Sequence, residues 1–262
     1  MLVSIIVPAY KQEKTIKKDI LNIHKVMSST RYEFEILVVV DGFLDDTFKR
    51  AKSLELDNIK VLGYEKNRGK GFAVRYGMTR ARGGLIAFID SGMEIDANGI
   101  SMVLEHMQWY SADIIVGSKR HPASRVHYPF IRRVYSIGYQ LLVLMLFWLR
   151  IRDTQTGLKV FRREVLEDTL PRLTIKQYAF DIELLAVANY LGYKRIYEAP
   201  VQVSFDFSSG SRFAGFMLFD PLIRSMLIDT LAVFYRMRIK NYYATKNKSR
   251  WRKDPELVVL NK

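Results

Sequence analysis

Leu85-Ile86-Ala87-Phe88-Ile89-Asp90-Ser91-Gly92-Met93-Glu94 is an unbroken apolar run that passes into an acid, a hydroxyl, a glycine and a second acid. A short continuous apolar run reads as a strand buried on both faces, and the polar turn behind it marks the strand's carboxyl end. The pattern recurs along the first half of the chain. Residues 2–7 lead into Pro8-Ala9-Tyr10, residues 34–40 into Asp41-Gly42, and residues 113–116 into Gly117-Ser118-Lys119. Residues 59–62 stand shortly before Asn67-Arg68-Gly69-Lys70-Gly71. Between the runs, residues 13–27, 45–54, 71–81 and 100–110 carry apolar side chains at helical spacing. This alternation predicts an α/β fold with a mostly parallel, Rossmann-like sheet flanked by helices on both sides. Ligands of such sheets bind at the carboxyl ends of the strands, where each motif above falls.

Composition narrows the chemistry. Nearly half of the 262 residues are hydrophobic, enough for one large core, and the aromatic content argues against disorder. A net charge of +14 calls for anionic partners: nucleotides, nucleic acid or an anionic membrane face. The chain has no cysteine, which excludes disulfides, Cys-ligated zinc and a thiol nucleophile. The start at 2–7 has neither the basic opening nor the small-residue cleavage site of a signal peptide. The longest apolar run, 141–149, falls far short of the ~20 residues that span a bilayer. Two segments, 131–149 and 221–240, instead combine a wide apolar face with flanking Lys and Arg, as helices lying in the headgroup region do. The tail beyond Tyr243 is basic and polar and reads as mobile. A peripheral position on the cytoplasmic face of a membrane follows as the expectation, with an anionic lipid surface or a membrane partner protein as anchor. No nucleic-acid module is visible, so nucleic acid is not among the expected partners.

Taken in order, Val7-Pro8-Ala9-Tyr10 with Glu13, Val39-Val40-Asp41-Gly42, Asn67-Arg68-Gly69-Lys70-Gly71 and Asp90-Ser91-Gly92 resemble the motifs of the family 2 glycosyltransferases of the GT-A fold. Within that family the chain looks most like the polyprenyl-phosphate hexose synthases that make dolichol-phosphate mannose and glucose. Val116-Gly117-Ser118-Lys119, Asp153-Thr154-Gln155-Thr156-Gly157-Leu158-Lys159, Phe180-Asp181-Ile182-Glu183 and Gly210-Ser211-Arg212 extend the likeness to residue 212. The resemblance implies a catalytic domain over 1–212, followed by an amphipathic helix and basic tail over 213–262. It implies a nucleotide-sugar donor, UDP-glucose or GDP-mannose, held by Pro8, Ala9, Tyr10, Glu13, Asp41, Lys70, Asp90, Ser91 and Arg212. Asp90, Gln155 and Asp181 are the catalytic candidates.

Two positions depart from the family pattern. Val40 replaces the first acid of the usual Asp-Asp-Gly, and Gly92 replaces the second acid of Asp-x-Asp. Glu94 stands two residues further on, so Asp90 and Glu94 are the expected ligands of Mg²⁺ or Mn²⁺ on the donor diphosphate, where a divalent cation offsets the charge of the leaving group. Gly92 accepts an Asp only if the backbone there does not require positive φ. Lys119, Arg120, Arg132, Arg133 and Ser136 form a cationic and hydroxyl group ahead of an apolar helix. A lipid phosphate with a second pKa near ~6 is already a nucleophile at neutral pH and needs cations more than a base. Alternatives are a transferase extending a saccharide, which requires a carboxylate base such as Asp181 or Glu183, and a degenerate member that keeps only the fold.

Overall fold

Residues 3–7 of the first strand are entirely buried, and the whole sheet is built on such strands. The computed structural model describes residues 1–124, 130–177, 179–203, 221–252 and 254–257; for residues 130–134, 221 and 222 it describes the backbone only. Arg212 lies outside the described residues, as do the side chains of Arg132 and Arg133. Strands β1 (Leu2–Ala9), β2 (Glu33–Asp41), β3 (Ile59–Tyr64), β4 (Leu85–Ile89), β5 (Ile114–Ser118), β6 (Leu158–Arg162) and β7 (Ile196–Pro200) form one sheet in the order β3-β2-β1-β4-β6-β5-β7. Five of its strands match the runs read from the sequence. β6 is antiparallel to both of its neighbours, and every other pairing is parallel.

Helices α1 (Ile16–Ser28) and α4 (Gly99–Trp109) cover one face. There Ile16, Ile20, Ile23 and Met27, spaced for a single helical stripe, meet Val3, Ile5 and Val7. The short α2 (Thr47–Lys52) lies beside α1. On the other face α3 (Lys70–Met78), α5 (Phe130–Phe147), α6 (Arg163–Thr169), α7 (Phe180–Leu191) and α8 (Pro221–Phe234) share a core with Ile6, Leu37, Val39, Ile86 and Phe88. From Phe180 to Ala188 every residue of α7 is buried, so that helix has no polar stripe; Gly192 ends it at φ +106°, a left-handed cap that glycine adopts without strain.

Residues 241–252 and 254–257 differ from the expected mobile tail. After a π-helical turn at Tyr235–Ile239 the chain reverses and packs back on the body. Tyr243 is fully buried, its hydroxyl donating to Glu183 Oε1 at 2.7 Å, and the Arg172 guanidinium lies 4.2 Å from the Trp251 ring centroid. Aromatic anchors, invisible in a count of basic residues, hold this segment.

Glu35 of β2 sets an acid-stability prediction. It is buried and accepts Ser4 Oγ at 2.6 Å, Arg82 N at 2.7 Å and Arg82 Nε at 2.8 Å. Burial pushes its carboxyl up, but these hydrogen bonds and the Arg82 charge outweigh burial and hold it below the ordinary glutamate value. A carboxyl depressed on folding stabilises fully above its unfolded pKa and loses that contribution as pH falls through the folded one. Glu35→Gln should therefore cost about 1–3 kcal/mol at neutral pH. The gap to wild type should close below about pH 4, measured by urea midpoints against pH.

Candidate active site

The carboxyl end of β4, the start of α3, α7 and β6 bring together a run of alternating charges. Lys70, at the first position of α3, donates to Asp90 Oδ2 at 2.8 Å and lies 3.8 Å from Asp181 Oδ2. Asp181 Oδ1 in turn accepts Lys159 Nζ at 2.6 Å. Lys159 is completely buried, in the middle of β6, and also donates to Thr156 O at 2.5 Å. Burial pushes its ammonium pKa down, and the Asp181 charge opposes that shift. Carboxylate and ammonium thus alternate from Asp90 through Lys70 and Asp181 to Lys159, which lets four ionisable groups share a poorly solvated space. Lys70 and Lys159 both lie near the Phe88 ring, with centroid distances of 5.6 and 5.1 Å.

Asp90 continues the chain from β4, its N–H donating to Gly157 O at 2.9 Å. Gly157 touches the Asp90 carboxylate so closely that a Cβ there would sit 2.5 Å from Asp90 Cγ. Asp90 Oδ1 is buried and has no hydrogen-bond partner among the described residues, and the same holds for Gln155 Nε2 and Thr156 Oγ1. One unsatisfied acceptor and two unsatisfied polar atoms are grouped by sequence and strand pairing around the turn where donor chemistry was expected.

Asp41, an expected nucleotide contact, is hydrogen-bonded within the chain. Its Oδ1 accepts Tyr64 OH at 2.9 Å and Arg68 N at 2.7 Å; its Oδ2 accepts Asn67 Nδ2 and Gly69 N, each at 3.0 Å. Four donors commit this buried carboxylate to shaping the turn that presents Lys70. Gly69 has φ +97° and lies against the Lys176 carbonyl, so the turn needs glycine for both conformation and space. Pro8 and Ala9 are buried in β1, while Tyr10 is exposed just beyond it. Glu13 Oε2 accepts Asp46 N at 3.3 Å, which ties the β1 loop to the start of α2.

The turn after Asp90 explains one departure from the family pattern. Gly92 has φ +88° and Met93 φ +51°, and the Gly92 N–H donates to buried Asp19 Oδ2 at 2.9 Å. The condition under which Gly92→Asp would restore the acid is therefore not met, although a Cβ there would have room. Ser91 lies in the same turn.

Asp90 and Glu94 do not form a ready-made cage. Glu94 Oε1 is paired with Lys119 Nζ at 2.6 Å, while Asp90 pairs with Lys70, and no cluster of three potential ligands occurs among the described residues. Two carboxylates nevertheless suit an ion completed by substrate phosphates, as magnesium commonly is, and unsatisfied Asp90 Oδ1 is a fitting ligand atom. Arg120 Nη1 donates to Ser136 O at 3.1 Å and to Arg152 O at 2.9 Å, which joins the β5 end to α5. Lys119 N donates to Asp153 Oδ2 at 3.1 Å. Glu183 is fully buried and accepts Thr174 N, Ile175 N and Tyr243 OH, so it is structural.

Sequence reasoning missed Lys159, Asp19 and Gly157. A lysine interrupting an apolar run was the available signal for the first, and a glycine closing the Thr-Gln-Thr turn for the third. Nothing local marks Asp19, which sits on a helix among other polar residues.

Sheet order and site location define a glycosyltransferase of the GT-A type. Solved structures with this fold include mannosyl-3-phosphoglycerate synthase from Rubrobacter xylanophilus (TM-score 0.68, 18% identity, 94% of this chain and 77% of that one). Another is glucosyl-3-phosphoglycerate synthase from Mycobacterium tuberculosis in complex with Mn²⁺, UDP and phosphoglyceric acid (TM-score 0.63, 18% identity, 89% and 77%). The chain belongs to glycosyl transferase family 2, whose match spans residues 4–170. Among its relatives are dolichyl-phosphate beta-glucosyltransferases. That of Trichomonas vaginalis is 31% identical over 90% of this chain and 75% of its own length. That of Homo sapiens is 29% identical over 81% and 70%, and that of Drosophila melanogaster 32% identical over 72% and 63%.

Proposed function

We propose that this glycosyltransferase moves glucose from UDP-glucose to the phosphate of a dolichyl or related polyprenyl lipid at a membrane surface. The observation that carries the proposal is the placement of Lys119 and Arg120 at the end of β5, with Arg120 bonded to Ser136 of α5, a helix whose outer side is apolar. Leu141 and Met145 of α5 are 58% and 69% exposed, and Trp148 just beyond it 73%. On α8, which meets α5 through Phe147–Phe234 and a Tyr139–Thr230 hydrogen bond, Ile228 and Leu231 are also exposed. Cations beside outward-facing apolar helices match a ligand with an ionic head and a hydrocarbon tail. No helix of the described residues is long and apolar enough to cross a membrane; the exposed apolar sides of α5 and α8 are the surfaces that would lie against it.

In this reading Lys70 takes the donor diphosphate, Asp90 and Glu94 hold the divalent cation, and Gln155 faces the transferred sugar. A bound divalent cation supplies charge neutralisation to the departing nucleotide diphosphate. Lys119 and Arg120, with Arg132 and Arg133, orient the acceptor phosphate, which attacks directly and inverts the anomeric carbon. Asp181 is ion-paired and 2% exposed, so it has no free face with which to deprotonate a sugar hydroxyl. That favours the phosphate acceptor over the saccharide-extending alternative.

The test measures transfer from radiolabelled UDP-glucose and GDP-mannose to a short polyprenyl phosphate in anionic vesicles. Arg132→Ala and Arg133→Ala should each lower acceptor use roughly ten- to a hundred-fold while donor binding barely changes. Transfer should also fall below about pH 6, where the acceptor gains its second proton. Full activity in both variants, or free polyprenol serving as well as its phosphate, would exclude the lipid-phosphate acceptor. Preference for GDP-mannose would exclude the glucose donor.

A further inference from the structure

The Asn67–Gly69 turn is gripped from two sides. On one side stands Asp41, described above. On the other stands the returning segment, described over residues 241–252 and 254–257. Asp254 Oδ2 lies 3.2 Å from Lys176 Nζ and 3.7 Å from Arg68 Nη2. Glu256 pairs with Arg68 through its carboxylate, and its carbonyl accepts Arg80 Nη1 at 3.1 Å. The Arg68 guanidinium, drawn outward in this way, lies 3.9 Å from the Phe72 ring centroid on the first turn of α3. The Lys176 carbonyl lies against Gly69 and accepts Phe72 N at 3.2 Å.

The segment is itself well anchored. Tyr243 OH and the amides of Thr174 and Ile175 share the Glu183 carboxylate, Arg172 Nε donates to Tyr243 O at 2.9 Å, and Trp251 Nε1 donates to Tyr242 O at 2.9 Å. Burial pushes the Asp254 carboxyl up, but the Lys176 hydrogen bond and the Lys176 and Arg68 charges prevail and hold it below the ordinary aspartate value. Asp254 keeps only 12% of its side chain exposed, between Lys176 at 26% and Arg68 at 29%, so its charge acts on both cations in a partly desolvated place.

We propose that residues 241–252 and 254–257 form a strap completing the nucleoside-diphosphate site, with Asp254 and Glu256 as positioning residues for the Arg68–Lys70 turn. Among the described residues, Asp254 and Glu256 pair with Arg68, Arg80 and Lys176 and not with Asp90. The strap fixes where α3 begins, and so where the Lys70 ammonium stands relative to the donor's phosphates. This rests on the reading of Lys70 as the diphosphate cation.

The experiment uses the full chain with Mn²⁺ and titration calorimetry. UDP and GDP are compared first, and the tighter is carried forward with its monophosphate. Asp254→Asn with Glu256→Gln should weaken the diphosphate about fivefold, the worth of a partly exposed ion pair, and leave the monophosphate within about twofold. Asp254→Glu should restore most of the loss, and melting temperature should shift by only a few degrees. Equal weakening of mono- and diphosphate would reduce the strap to general structural support and overturn the proposal. So would unchanged or tighter diphosphate binding, the latter marking the acids as competitors of phosphate. Lys70→Ala is the separating control: if it leaves diphosphate affinity intact, the donor-site reading fails, and the strap's role with it.

Discussion

Gly157→Ala should lower transfer by about a hundred-fold or more while the protein remains folded. The new methyl would sit 2.5 Å from Asp90 Cγ and within contact of its carboxylate oxygens. The backbone around Gly157 is fixed by the β4–β6 pairing and by the Asp90 N–H bond to Gly157 O, so the side chain of Asp90 must give way. Rotating it out breaks the 2.8 Å contact with Lys70 and moves the unsatisfied Oδ1 from where a donor-bound cation would meet it. Displacements on the order of 1 Å cost about a hundred-fold in rate when they touch catalytic geometry. Asp90→Asn, which keeps the volume but removes the charge, should be comparably inactive. The measurement is kcat/KM for both variants beside their melting temperatures and Mn²⁺-dependent nucleotide binding. Activity within about threefold of wild type in Gly157→Ala would take Asp90 out of the reaction.

Asp181→Asn should be among the most destabilising single changes available in this site. Lys159 is entirely buried and Asp181 is its only carboxylate partner among the described contacts, at 2.6 Å. Removing one member of a buried pair leaves the other charge uncompensated, at a cost of about 3–5 kcal/mol, or a fall of roughly 10 °C in Tm. Burial already lowers the Lys159 pKa, so loss of its proton limits the penalty. Replacing both residues, as Asp181→Leu with Lys159→Met, should recover most of the stability, because a packed apolar pair avoids the desolvation that the ion pair must overcome. Thermal melts and urea midpoints of the single and double variants decide the matter. A general base would behave otherwise: Asp181→Asn would keep its Tm and lose only activity.

Much of this architecture is local and was legible. The apolar runs at 2–7, 34–40 and 85–89 became β1, β2 and β4, and the helical spacing at 13–27 became α1, because each segment's burial pattern depends on residues a few positions apart. The ends of those strands marked where Lys70 and Asp90 would meet, since parallel sheets collect their carboxyl ends on one edge. β6 was not legible. A lysine in the middle of Leu158-Lys159-Val160-Phe161 contradicts a buried strand until Asp181, 22 residues away on α7, supplies the compensating charge. Nor could a string of basic residues after Tyr243 announce a packed strap, because its anchors are single aromatic and acidic side chains with distant partners. Positive φ at Gly92 likewise follows from a turn closed by Asp19, 73 residues earlier. The sequence by itself therefore determined which segments are strands and helices and which edge of the sheet carries the chemistry, for those follow from short-range periodicity. Only the tertiary structure decided which charges are paired, which carboxylates are spent on holding loops and which remain open to a ligand, because the free energy of a buried charge is set by whatever the fold brings within a few ångströms of it.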